Sequence, residues 1–444
     1  MKIAFFLPFS NDGVGGWDRK FTIYLKYLSR SHFEIYKIRI APTLTSPTEE
    51  QSSDDTDKCY SMSKEFLSNF MSDHTIPYFY IAGAILPTQT VALLLEKYVG
   101  IINVNFTRCY VPHHNVLNLI ISKTDYWKLR WMHTSLINAY VVYNPIDVEK
   151  REAFSDKNSW MYREYFKTKK LIVGRIARHE PSKWHFLIIF TLLYLSIKRN
   201  FSFGFLFVGM PRLYRKCIHW FCSAAFKKCI LFLPQMRSDK DIAEFYTSID
   251  IFRQTSWIGE SFGNVIAESF CFKKPVITDY KKFLRNGKVR EDLYDAQIEL
   301  VDNATNGRYA NNPWRIVEIL EWCTQNIIQE YGANWHKKVI SEYNIVSTAE
   351  TFTKIVYDFM ERRTHSKESQ EVEWCIGKPS YEEVQRYEEE YKARIAECER
   401  ENMLPTSKRV YFGILSWLWR FIEYLYLLFR KVLRYMRFDL EDIY

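Results

Sequence analysis

The chain starts the same local pattern twice. Residues 2–9, KIAFFLPF, form a short apolar run that breaks into the glycine-bearing segment SNDGVGGW. Phe21, Tyr24, Leu25 and Leu28 then recur at helical spacing, and FEIYKIRI gives a second apolar run. Strand, loop, helix and strand in that order build a parallel sheet with helices on both faces. Further units follow: strand PYFYIAGAI, helix TVALLLEKYV, strands IINVNF and NLIISKT, and the strand and turn of NAYVVYNPIDV. The pattern restarts at KKLIVGRIARHEPSKW and runs through FSFGFLFVG, CILFLPQ, DKDIAEFYTSI and DIFRQTS. Two doubly wound α/β halves facing each other across a cleft are predicted, over residues 1–150 and 151–345. A closing helix is predicted at 346–363, and the turn-rich stretch 43–58 reads as a polar loop.

A chain of 444 residues, 47% hydrophobic and 25% charged, has the core material for two such domains and an appendage. Its net charge of +9 favours an anionic partner. Nine cysteines without a C-x-x-C pair read as reduced thiols, hence a cytoplasmic protein. Cys217, Cys222 and Cys229 cluster, but no histidine stands at zinc-ligand spacing, so no metal is expected. The Asp55-Thr56-Asp57 triplet has no strand leading into it and reads as solvated loop. The apolar start of the chain is too short for a signal segment and fits a buried first strand.

Beyond residue 363 the character changes. Residues 364–408 carry Glu382/Arg386, Glu388/Lys392 and Glu390/Arg394 at i,i+4, the mark of an exposed helix, here read as a charged spacer, with a packed helix pair as the alternative. A weaker apolar line runs through Tyr381, Val384, Tyr387, Tyr391, Ile395 and Cys398. In residues 409–444, Arg409, Gly413, Ser416, Arg420, Glu423, Leu427, Arg430, Arg434 and Arg437 fall on one helical stripe of an otherwise apolar, aromatic segment. Charges at 420 and 423 argue against a spanning helix. A basic amphipathic helix in the headgroup plane of an anionic membrane fits better, placing the protein at the periphery of the cytosolic membrane face; the alternative is a helix packed on its own protein or on a partner chain. Nucleic acid is not expected, because these cations lie on an apolar segment rather than in a hydrophilic groove.

The most informative stretch is SWIGESFGNVIAESFCFKKPVITDY, residues 256–280. Strand DIFRQTS leads into the turn WIGESFG, and helix NVIAESFCF follows. Ligands of doubly wound sheets bind outside the carboxyl ends of the strands, against helix N-termini. Glu260 then sits in a turn at the cleft, and Glu268 a little over one helical turn on, on the same side. Gly263 lets the backbone come close to an anionic group.

With its lysine-rich turn and PVIT, this stretch resembles the E-x7-E signature of the retaining family-4 glycosyltransferases of GT-B fold. VVYNPID (141–147), IVGRIARHEPSKW, DAQIELVDNATNG (295–307) and GVGGW resemble further segments of that family, in order, over about residues 1–363. The resemblance implies two Rossmann-like domains, the first on the acceptor side and the second binding the nucleotide sugar, with a C-terminal helical extension. It implies that Arg175 and Lys183 bind the leaving diphosphate, with Arg178 as an alternative to Arg175. Glu260 would hold hydroxyls of the donor sugar, Phe262, Gly263, Asn264 and Val265 would line the donor, and Glu268 would bond the ribose. Gly15 and Gly16 would close over the phosphates. Trp184 stands where the family often has glycine, and the N-domain histidine of many members is not placed, with His113 and His114 as candidates.

By the same resemblance, a sugar passes from a nucleotide-diphosphate donor to a glycan or lipid-linked acceptor. The anomeric configuration is retained, and neither metal nor other cofactor takes part. Two alternatives share the fold: a catalytically silent scaffold or binding protein, and a nucleotide-sugar epimerase.

Overall fold

A computed structural model describes residues 2–8, 24, 33–40, 48–50, 58–62, 66–82, 86, 88–105, 107–133, 135–153, 160–236, 238–281, 284–285, 288–289, 293–302, 305–365 and 380–401. The first sheet is built from β1 (Lys2–Pro8), β2 (Glu34–Ile40), β3 (Thr48–Glu50), β4 (Lys58–Met62), β5 (Tyr78–Ala82), β6 (Val99–Val104), β7 (Val116–Ile120) and β8 (Ala139–Val141). Their order is β3-β4-β2-β1-β5-β6-β7-β8, parallel throughout except for β3 against β4. Residues 43–58 are therefore not all loop. Thr48–Glu50 pair with Cys59–Ser61 at the sheet edge, a tertiary contact that outweighs their polar composition.

The second sheet holds β9 (Leu171–Ile176), β10 (Phe203–Val208), β11 (Ile230–Leu233), β12 (Ile251–Gln254) and β13 (Val276–Thr278). Its last member, β16 (Gly307–Tyr309), follows a small hairpin of β14 (Leu284–Arg285) and β15 (Lys288–Val289). The order β11-β10-β9-β12-β13-β16 is wholly parallel. Every residue of β9 and of β10 is buried, which is why β10 reads as an unbroken apolar run and β9 as one broken only by Arg175. The chain winds outward from β9 in one direction and from β12 in the other, so the carboxyl ends of these two neighbours form the switch point of the sheet.

The two halves are joined by two crossings of the chain. Ile146 N–H donates to Tyr343 O at 2.8 Å, and Ile345 N–H donates to Ile146 O at 3.0 Å. Helix Ile345–His365 then returns to the first sheet, where Phe352, Val356 and Met360 pack with Ile3, Phe5 and Tyr24. Helix Tyr381–Glu401 is a correction to the spacer reading. It exists, but the later part of its apolar line is docked: Tyr391 is 4% exposed and Cys398 1%, while Tyr381 at its start is 66% exposed.

This helix touches both halves. Tyr387 OH meets Thr124 Oγ1 at 2.5 Å in the first, while Tyr391 OH donates to Asp295 Oδ2 at 3.0 Å in the second. Of the expected ion pairs Lys392–Glu388 forms, but Arg394 donates to Ile298 O at 2.7 Å instead of reaching Glu390. Residues 409–444, Gly15, Gly16 and Asp55–Asp57 lie outside the described residues.

Candidate active site

A cleft of about 260 Å³ opens at the switch point of the second sheet. Its wall from the second half comprises Arg175 to Arg178, Lys183, Gln254 and the run Glu260 to Val265, with Glu268 beyond. Asn105, Ile121 and Asn144 face it from the ends of β6, β7 and β8. The lining thus draws on the carboxyl ends of strands in both sheets.

Glu260 is held from four directions. Its Oε2 pairs with Lys183 Nζ at 3.0 Å and its Oε1 accepts from Gln254 Nε2 at 2.5 Å. Its N–H donates to Gln297 Oε1 at 3.0 Å and its carbonyl accepts from Ala296 N–H at 2.9 Å. The turn that presents it needs two left-handed glycines. At Gly259, φ +75°, a Cβ would stand 1.7 Å from Tyr294 O; at Gly263, φ +93°, it would press on Leu300 and Ile266. Gly263 then caps helix Asn264–Cys271, which carries Glu268 on the cleft side. Asn264 Oδ1 accepts from Asn144 Nδ2 at 2.9 Å, a hydrogen bond between the halves. Phe262 is 2% exposed and packs among Tyr143 and Tyr343, so its backbone, not its ring, is what meets the cleft.

Lys183 ends a short 3-10 turn, Pro181–Lys183, that is pinned from below. Trp184 has no exposed surface, its indole N–H donates to Arg178 O at 2.9 Å, and its carbonyl accepts from Tyr214 OH at 3.0 Å. The bulky Trp184 is thus the anchor of the loop. Arg175 lines the cleft and also bonds the backbone beneath it. It has no exposed surface, and its guanidinium donates to Lys183 O at 2.6 Å, Thr255 O at 3.1 Å and Ile176 O at 3.4 Å. Burial pushes it down to about 10, partly offset by Glu260 and Asp279. Arg178 is the arginine with open surface: its side chain is half exposed and paired with Glu180 at 3.0 Å.

Gln254, Asn105 and Asn144 were not singled out from the sequence. The position of Gln254 at the carboxyl end of β12, directly before the glycine turn, is the signal that points to it. His113 and His114 stack on each other at 4.4 Å just before β7, at the opposite end of the strand from Ile121, and neither lines the cleft. Among the described residues no group of three His, Cys, Asp or Glu side chains is placed to share a metal ion.

Neither a protein-family model nor a curated protein matches the chain. Solved structures do. Sucrose-phosphate synthase from Thermosynechococcus elongatus matches at TM-score 0.61 and 12% identity, over 81% of this chain and 99% of that one. A glycosyltransferase from Rickettsia africae matches at TM-score 0.61 and 14% identity, over 81% and 98%. The Anabaena protein HepE, in complex with UDP and glucose, matches at TM-score 0.58 and 14% identity, over 80% and 99%. The fold is GT-B. In GT-B terms the cleft lies between the two Rossmann-like halves, and Lys183, Glu260 and Glu268 all stand on its second-domain wall.

Proposed function

We propose that the chain is a retaining glycosyltransferase that moves a sugar from a nucleotide-diphosphate donor to a glycan or lipid-linked acceptor. The observation that carries this reading is the Lys183–Glu260–Gln254 constellation at the joined ends of β9 and β12, with Glu268 on the adjoining helix. Lys183 and Arg178 supply cationic contacts to the diphosphate, charge-assisted bonds worth about 1.5–3 kcal/mol each. Glu260 accepts hydroxyls of the sugar, and Glu268 accepts those of the ribose. Arg175 acts from beneath, fixing the carbonyls of Lys183 and Thr255 and adding buried positive charge. The glycan or lipid acceptor enters past Asn105 and Asn144. Catalysis then rests on orientation and charge stabilisation, without a metal, and the leaving diphosphate oxygen assists the incoming acceptor on the same face. Residues 409–444 hold the enzyme peripherally on an anionic membrane.

The test is thermal unfolding of the protein with UDP, GDP and ADP, beside Glu268→Ala. A nucleotide at a hundred times its dissociation constant stabilises by about 2.7 kcal/mol. Stabilisation by one nucleotide, lost in the variant, supports the assignment and names the base; no response to any of them refutes it. Product analysis with donor and chelator separates transfer from epimerisation and from a silent scaffold.

A further inference from the structure

Between Glu180 and Asp239 the sequence contains no acidic residue and nine lysines and arginines. Much of this segment folds onto one face of the second half. Helix Arg212–Phe221 buries Tyr214 and Ile218 against the core, while Arg212, Arg215, Lys216, His219 and Trp220 recur at spacings of three and four and are all exposed. Trp220 is 66% exposed and Phe221, at the helix end, 59%.

The end of the neighbouring helix, Leu187–Ile197, adds to the same face. Ile197 is 69% exposed and is followed by exposed Lys198 and Arg199, then by Phe201 at 37%. The two helix ends are stitched together: Ser223 N–H donates to Ser196 Oγ at 2.9 Å, the two serine hydroxyls meet at 3.2 Å, and the rings of Phe201 and Phe226 lie 6.1 Å apart. Glu321, whose Oε1 accepts from Asn200 at 3.3 Å, is an acid at the border of this face.

We propose that this face, helix Arg212–Phe221 with the 197–201 turn, docks on an anionic lipid surface independently of residues 409–444. Soluble surfaces rarely leave a Trp, a Phe and an Ile this exposed side by side. An exposed indole among cations suits the headgroup layer, where the ring sits at the interface and lysine and arginine meet lipid phosphates. Charge decides the occupant. The 409–444 segment carries six cations against four acids, Glu423, Asp439, Glu441 and Asp442, so with a net charge of +2 it offers this patch no anionic complement. Nucleic acid would draw on the cations and stack bases on Trp220 and Phe221, but it would leave Ile197 without a role. The inference does not rest on the proposed activity, because the patch is formed by residues outside the cleft lining.

The test uses the full chain, sedimented with phosphatidylcholine vesicles with and without phosphatidylglycerol. Binding to the anionic vesicles alone is expected, weakening as salt rises. Arg215→Glu with Lys216→Glu is expected to weaken it by more than tenfold, since each cation at the surface is worth about fivefold. Trp220→Ser with Phe221→Ser is expected to weaken it about tenfold as well, with the melting temperature and any nucleotide-induced stabilisation unchanged. Should the serine variant melt lower, Trp220→Phe with brominated lipid replaces it: binding persists, and the lipid-induced quenching of tryptophan emission falls. Parental binding in both paired variants overturns the proposal. So does a loss confined to the charge-reversal pair, which would mark a surface attracted to any polyanion, and so does a parent protein that binds neither vesicle.

Discussion

Glu299→Ala is predicted to loosen the two halves from each other. Glu299 belongs to the second half, is 9% exposed, and reaches the start of helix Lys123–Met132 in the first. Its carboxylate accepts from Lys123 N–H at 3.3 Å, Thr124 N–H at 3.1 Å, Thr124 Oγ1 at 3.3 Å and Tyr143 OH at 2.7 Å. Ser122 Oγ takes Asp125 N–H at 3.1 Å, so the first donors of the helix are satisfied by one residue of its own half and one across the interface.

Removing the carboxylate strands two amides and a phenol in a partly buried setting. At about 1–3 kcal/mol for each orphaned group, less what water recovers, the loss is roughly 3–5 kcal/mol. Glu299→Gln keeps one carbonyl acceptor and is expected to cost about half as much. Urea unfolding measures the loss, and amide exchange locates it: Lys123 and Thr124 should exchange faster while the β9 amides stay protected. A shift of less than about 0.5 kcal/mol, with unchanged exchange at those two amides, would refute the reasoning.

Glu260→Gln should lower transfer by roughly 10²–10³-fold while nucleoside-diphosphate stabilisation persists or grows, because Lys183 loses its rival carboxylate; loss of nucleotide binding instead would contradict the division of roles. Asp295 gives a pH prediction. Burial holds its carboxyl well above 3.8, against the opposing hydrogen bonds from Lys281 N–H and Tyr391 OH. The folded state therefore binds this proton more tightly than the unfolded one. The stability so gained is complete below pH 3.8 and is lost at up to about 1.4 kcal/mol per pH unit as pH rises towards the raised value. Asp295→Asn lacks that loss, so its melting temperature relative to the parent should climb as pH rises above 4; a flat difference would refute the shift.

The sheet strands were legible because strands buried on both faces leave continuous apolar runs, and Glu260 because a glycine turn interrupts one of them. What stayed hidden was decided by distant partners. Tyr387 and Tyr391 look alike in a charged helix until Thr124 and Asp295 supply their bonds. Arg175 stands in a strand with all six residues buried, which gives no periodicity to show that its guanidinium bonds the carbonyls of Lys183 and Thr255. Gln254 and Asn144 are neutral amides whose sequence carries no charge pattern, and only the meeting of strand ends gives them a task.

Arg175 also explains why the cleft wall behaves as one piece. Its guanidinium joins the carbonyl of Lys183, on the loop after β9, to that of Thr255, on the segment after β12. Trp257 N–H closes the same link from the other side, donating to Ser182 O at 3.1 Å. Lys183 and Glu260 therefore stand on two segments that cannot separate without stranding a buried guanidinium. That penalty is larger than the worth of the partly exposed Lys183–Glu260 pair itself. A ligand can break the ion pair and take the lysine without disturbing the backbone beneath. The pair is the movable part of the site, and the buried arginine is what keeps its two halves in register.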